Sequence, residues 1–148
     1  MPNILISCGE PSGDLYAGAL TKELIALDPT ARVYGLGGDH LEKNGADLVA
    51  HYEGLAATGI AEALAVLPRS IEIYRSMVVR ARTDRPDVFV AIDFPEINFR
   101  LAAAIRKLGI PVVYYIGPQA WAWRRGRFET MRRLVDLALV IFPFEEAI

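Results

Sequence analysis

The sequence predicts an α/β fold, a parallel sheet covered by helices on both faces. Three observations carry this. Short apolar runs rich in Val and Ile recur along the chain, bounded by Gly, Pro or Asp. Longer segments with apolar residues at helical spacing lie between them. The apolar runs are continuous rather than alternating, as expected for strands buried on both faces.

The predicted strands are Ile4–Cys8, Arg32–Leu36, Asp87–Ile92, Val112–Ile116 and Leu137–Ile141. The predicted helices are Asp14–Leu27, Ala61–Thr83 and Ile97–Leu108. Ser12-Gly13-Asp14 offers an N-cap for the first helix. Gly109-Ile110-Pro111 closes the third helix, with Gly109 suited to a left-handed residue after it. Repeats, low-complexity stretches and linkers are absent from the sequence, so residues 1–148 read as a single domain. The chain stops at Phe142-Pro143-Phe144-Glu145-Glu146-Ala147-Ile148, which looks like the first turn of another helix; truncation of a longer protein is the expectation.

Composition limits the function classes. With 53% hydrophobic and 23% charged residues the chain is not disordered. No apolar run reaches the roughly 18 residues that span a bilayer. The lone Cys8 forms no internal disulfide, and Cys and His lack the spacing of a structural zinc site. A reducing, cytoplasmic setting follows as the expectation. The net charge of −2 hides an asymmetry: residues 1–99 hold 8 Lys/Arg and 14 Asp/Glu, residues 100–148 hold 8 and 4. Arg124, Arg125, Arg127, Arg132 and Arg133 form the densest basic stretch, either a solvated helix face or a contact for an anionic partner.

Ligands of parallel α/β sheets bind at the carboxyl ends of the strands, and three polar loops are predicted there. In Cys8-Gly9-Glu10-Pro11-Ser12-Gly13-Asp14 the glycines permit tight turns, but the pattern is neither a dinucleotide fingerprint nor a Walker loop. Glu10 and Asp14 suit sugar hydroxyls better than phosphate; the plainer alternative is a capped strand-to-helix turn. In Ile92-Asp93-Phe94-Pro95-Glu96, Asp93 follows an apolar strand directly, where a partly desolvated carboxylate suits a general base; equally, it suits a cap for the next helix. In Gly117–Arg127, Trp121 and Trp123 beside arginines suit sugar rings, acyl chains and phosphates, the plainer alternative being that at least one tryptophan packs in the core. Nucleic acid uses the same residue types, but no recognition-helix or RNP pattern accompanies them. A fourth stretch, Leu55–Ile73, is more apolar than one core-facing stripe requires, so it is either a buried helix or one docked on a lipid surface.

Together these pieces resemble the lipid-A-disaccharide synthase family. The resemblance rests on Gly9-Glu10-Pro11-Ser12-Gly13-Asp14, Gly35-Leu36-Gly37-Gly38, Gly59-Ile60-Ala61-Glu62, Pro86-Asp87-Val88-Phe89 leading into Ile92-Asp93-Phe94-Pro95, Asn98, Pro118, Trp121-Ala122-Trp123-Arg124 and Phe142-Pro143-Phe144-Glu145, in family order. Gly117 and Thr58 depart from the Ser and Met common there.

The resemblance implies the Rossmann-like N-terminal, acceptor-side domain of a GT-B glycosyltransferase. Such an enzyme joins UDP-2,3-diacylglucosamine to 2,3-diacylglucosamine 1-phosphate. Asp93 would be the base. Glu10, Ser12, Gly13, Asp14, Glu62, Asn98, Trp121, Trp123 and Arg124 would bind substrate, and Leu64, Leu67 and Ile71 would meet acyl chains or the membrane. It further implies no metal or other cofactor, no nucleic acid, and a cytoplasmic enzyme lying on the inner-membrane surface. The resemblance implies that the UDP-binding C-terminal domain lies outside these residues, so the 148-residue chain alone is expected to be inactive or nearly so; the alternative is a non-catalytic acyl-sugar or membrane-binding module left by truncation.

Overall fold

A computed structural model describes residues 2–53, 55, 60–115 and 137–139. Six strands form one parallel sheet: β1 (Asn3–Cys8), β2 (Arg32–Gly37), β3 (Asp47–His51), β4 (Val88–Ile92), β5 (Val112–Tyr115) and β6 (Leu137–Leu139). Their order is β3-β2-β1-β4-β5-β6. The helices are α1 (Pro11–Leu27), α2 (Asp39–Lys43), α3 (Ile60–Asp84) and α4 (Pro95–Arg106). The five predicted strands and three predicted helices all occur within a few residues of their expected bounds. Two elements, α2 and β3, were not foreseen.

The core has a layer on each face of the sheet. One layer joins Leu5, Tyr34, Leu36 and Phe89 to Ile73, Met77 and Ala81 of α3 and Leu101 and Ile105 of α4. The other joins Ile4, Ile6, Val33, Val90 and Ile92 to Ala17 of α1 and Leu41 of α2. Each central strand thus buries alternate side chains on opposite faces, which is why its sequence reads as continuously apolar.

Helix α1 begins at Pro11, whose missing N–H is no loss in a first turn. Glu10 is the extended N-cap residue, so Ser12 lies inside the helix and does not cap it, contrary to expectation. The helix buries Gly13, Asp14, Ala17, Gly18 and Thr21. Leu15, Tyr16 and Leu27 face outward. Small residues are needed there because α1 and α2 approach closely: a Cβ on Gly18 would lie 2.7 Å from the His40 carbonyl oxygen. Gly109 takes the expected positive φ, 83°, beyond α4.

Helix α3 is one-sided. Ile73 and Met77 are buried, as is Leu55 ahead of the helix, whereas Leu64, Leu67 and Ile71 are 66%, 45% and 44% exposed. Of the two readings of this stretch, the fully buried helix is the one the structure does not bear out, since Leu64, Leu67 and Ile71 meet solvent.

Candidate functional site

All strands of a parallel sheet end at the same edge, and strand order reverses beside β1, between β2 and β4. The crevice at such a reversal is where α/β folds bind ligands. The register pairs Cys8 with Ile92, which sets Gly9 level with Asp93. The two following loops touch: a Cβ on Gly9 would lie 2.3 Å from the Phe94 ring, so the ring packs flush against glycine backbone.

The β4–α4 loop is strained. Asp93 and Phe94 have φ of 44° and 47°, a left-handed conformation costing a non-glycine residue about 1 kcal/mol or more. Surrounding groups hold it there. The Asp93 carbonyl accepts hydrogen bonds from the Tyr114 hydroxyl at 2.6 Å and from Nδ2 of Asn98 at 2.7 Å. The same Nδ2 reaches the carbonyls of Ile92 (3.2 Å) and Ser7 (3.3 Å), while the Ser7 hydroxyl donates to Oδ1 of Asn98. Asn98 is fully buried, its amide committed to the ends of β1 and β4. It is a positioning residue for the Asp93 loop, not the direct substrate contact expected from the sequence. Asp93 itself is half-buried, one residue before the N-cap of α4.

Asp14 has a different environment. It is 2% exposed, and its carboxylate accepts N–H bonds from Gly38 (2.8 Å), His40 (3.0 Å) and Leu41 (3.1 Å). These are the donors that the start of α2 would otherwise leave unsatisfied. The expected contact with sugar hydroxyls is corrected to a joint between α1 and α2. Gly13 is likewise buried, its Cα close enough to β1 that a Cβ would lie 3.1 Å from Cβ of Cys8. Burial raises the Cys8 pKa, and the charges of Asp14 and Glu10 raise it further, so the thiol stays protonated. Its sulfur lies 3.6 Å from the Leu36 carbonyl oxygen.

Glu10 is half-buried and Ser12 exposed, the Ser12 hydroxyl lying 3.4 Å from Oε1 of Glu10. Both belong to the same edge as Asp93. The next edge loop is braced from α3, since Arg69 donates to the His51 carbonyl at 3.2 Å. Tyr52 packs over Gly38, where a Cβ would lie 2.4 Å from Cε1 of the ring. Burial, followed by the charge of Asp14, raises the Tyr52 pKa. Glu62 is exposed in the first turn of α3. Trp121, Trp123 and Arg124 lie outside the described residues. Ser7 and Tyr114, which complete the brace around Asp93, were not singled out from the sequence; a polar Ser7 inside an apolar strand was the available signal. Among the described residues, no group of three or more His, Cys, Asp or Glu side chains converges as a metal site.

The strand order, the reversal beside β1 and the carboxylate-bearing edge define a Rossmann-like domain. Solved structures share the fold: MurG of Acinetobacter baumannii superposes with a TM-score of 0.62 at 13% identity, over 97% of this chain and 42% of that one. The glycotransferase of kitacinnamycin does so with 0.60 at 22% identity, over 89% and 34%. The sequence is more specific than the fold. It matches the family described as lipid-A-disaccharide synthetase over residues 4–148, and the chain belongs to that family. The lipid-A-disaccharide synthase of Koribacter versatilis is 47% identical over 147 residues, and that of Myxococcus xanthus 42% over 145. The chain spans 38% of the length of each of these relatives.

Proposed function

We propose that this chain supplies the acceptor side and the base of a lipid-A-disaccharide synthase, and that the donor's UDP group is bound by polypeptide outside these 148 residues. The observation that carries the reading is the placement of Asp93: half-buried, at the strand-order reversal, on a strained loop braced by Asn98 and Tyr114. Such a carboxylate takes the proton of the acceptor 6-hydroxyl as that oxygen bonds to the anomeric carbon of UDP-2,3-diacylglucosamine. The bond from that carbon to the diphosphate breaks with inversion, and UDP leaves with the electron pair. Glu10 and Ser12, on the neighbouring loop, are placed to orient sugar hydroxyls. Trp121, Trp123 and Arg124 are assigned to the acceptor by family resemblance.

The second part of the proposal concerns location. No described helix is long and apolar enough to cross a membrane. Leu64, Leu67 and Ile71 share one exposed face of α3 and are proposed to rest against the inner-membrane surface, where both acylated substrates reside.

The test is a chimera in which this chain replaces the matching segment of the Koribacter versatilis synthase, assayed for disaccharide formation. Asp93→Asn is expected to lower turnover by about 10²- to 10⁴-fold with little change in melting temperature. Near-normal turnover would remove Asp93 from the role, and an inactive but folded parent chimera would sink the acceptor-side reading.

A further inference from the structure

Away from the strand-end crevice, the second halves of α3 and α4 enclose a groove of about 520 Å³. Its cations are Arg75 and Arg82 on α3, Arg100 on α4 and Lys107 just past the end of α4. Each pair is spaced i, i+7, two turns along one helix face. Between them, at i+3 and i+4, lie Val78 and Val79 on one helix and Ala103 and Ala104 on the other. Both helices therefore present the same order of cation, two apolar residues, cation. Among the described residues, the groove lining contains no acidic side chain.

The four cations are all exposed, and none forms an ion pair among the described residues. The acidic groups that flank Arg75 and Arg82 on α3 are already engaged, Glu72 by Arg69 (3.4 Å) and Asp84 by Arg80 (2.6 Å) and Arg32 (3.1 Å).

We infer that this groove binds the anionic headgroups of a lipid surface. At 100° per residue, Leu64, Leu67, Ile71, Arg75, Val78 and Arg82 fall within about 80° of one another around α3. One continuous stripe is thus apolar at its first end and cationic at its second. The exposed leucines favour a lipid surface over a soluble anion, while the cations select negative headgroups. The inference rests on the membrane-surface part of the proposed function and is independent of the role of Asp93.

The test is flotation of the 148-residue chain with vesicles of phosphatidylcholine alone or mixed with phosphatidylglycerol. The unaltered chain is expected to float with the anionic vesicles only. Arg75→Glu with Arg82→Glu, and Arg100→Glu with Lys107→Glu, should each weaken partitioning about tenfold or more. Unchanged circular dichroism would show that these surface variants fold. Equal flotation of either charge-reversed variant and the parent would overturn the inference, as would no flotation of the parent or equal binding to neutral vesicles. Binding of inorganic phosphate without flotation would reassign the groove to soluble anions. Leu64→Glu with Leu67→Glu separates the two claims. If this variant alone loses binding, the apolar contact stands and the groove falls; if only the charge-reversed variants lose it, the reverse holds.

Discussion

At the carboxyl edge of the sheet, the loop after β1 passes from one extended residue, Glu10, directly into Pro11 and α1. The loop after β4 instead passes through two consecutive left-handed residues before Pro95 and α4. Each loop leads to an aspartate that the sequence marked as a candidate for chemistry. Asp14, on the relaxed side, is buried with three N–H donors on its carboxylate. Asp93, on the strained side, is half-buried, and it is its backbone carbonyl that the brace holds. The same residue type therefore serves assembly in one loop and, in the proposed function, chemistry in the other. Strain accompanies the second because the loop must take a conformation the residue would not choose alone.

That contrast is open to direct measurement. The largest effect on stability is expected at Asp14: Asp14→Ala strands the three buried donors at the start of α2 and should cost about 3 kcal/mol in urea denaturation. A loss below about 1 kcal/mol would mean that the joint is not what holds α2. Tyr114→Phe removes one of two donors to the Asp93 carbonyl and should cost about 1 kcal/mol by the same measurement. In the chimera it should lower kcat more than it alters KM; a change in KM alone would place Tyr114 against substrate instead. The smallest effect is expected for Asp93→Gly, which relieves one left-handed residue against a more flexible unfolded chain. The net gain should be at most about 1 kcal/mol in thermal melting, with activity lost. A clear loss of stability would show that the loop is not strained at that position.

Much of this was legible in the sequence. Continuous Val- and Ile-rich runs identified β1, β2, β4, β5 and β6, because a strand covered on both faces has no polar side to betray its period. Edge strand β3 escaped because Asp47–His51 is only partly buried and its pattern is weak. The five-residue α2 escaped because it is too short to show a helical period. For α1 the extent was right but the buried face was not. The fully buried face is built from glycine, alanine, threonine and an aspartate, while Leu20 and Leu24 are only partly buried against the core and Leu15 and Leu27 point outward.

By itself the sequence determined the α/β class, the parallel sheet, the family and the two loops worth inspecting, because these depend on local pattern and residue order. Only the tertiary structure decided which aspartate is buried, what holds Asp93 in its left-handed conformation, and that α3 and α4 set their cations opposite each other. Those outcomes depend on contacts between residues such as Ser7 and Asn98, 91 positions apart in the chain. No pattern read along a single segment encodes a hydrogen bond that exists only once the sheet has brought β1 and β4 side by side.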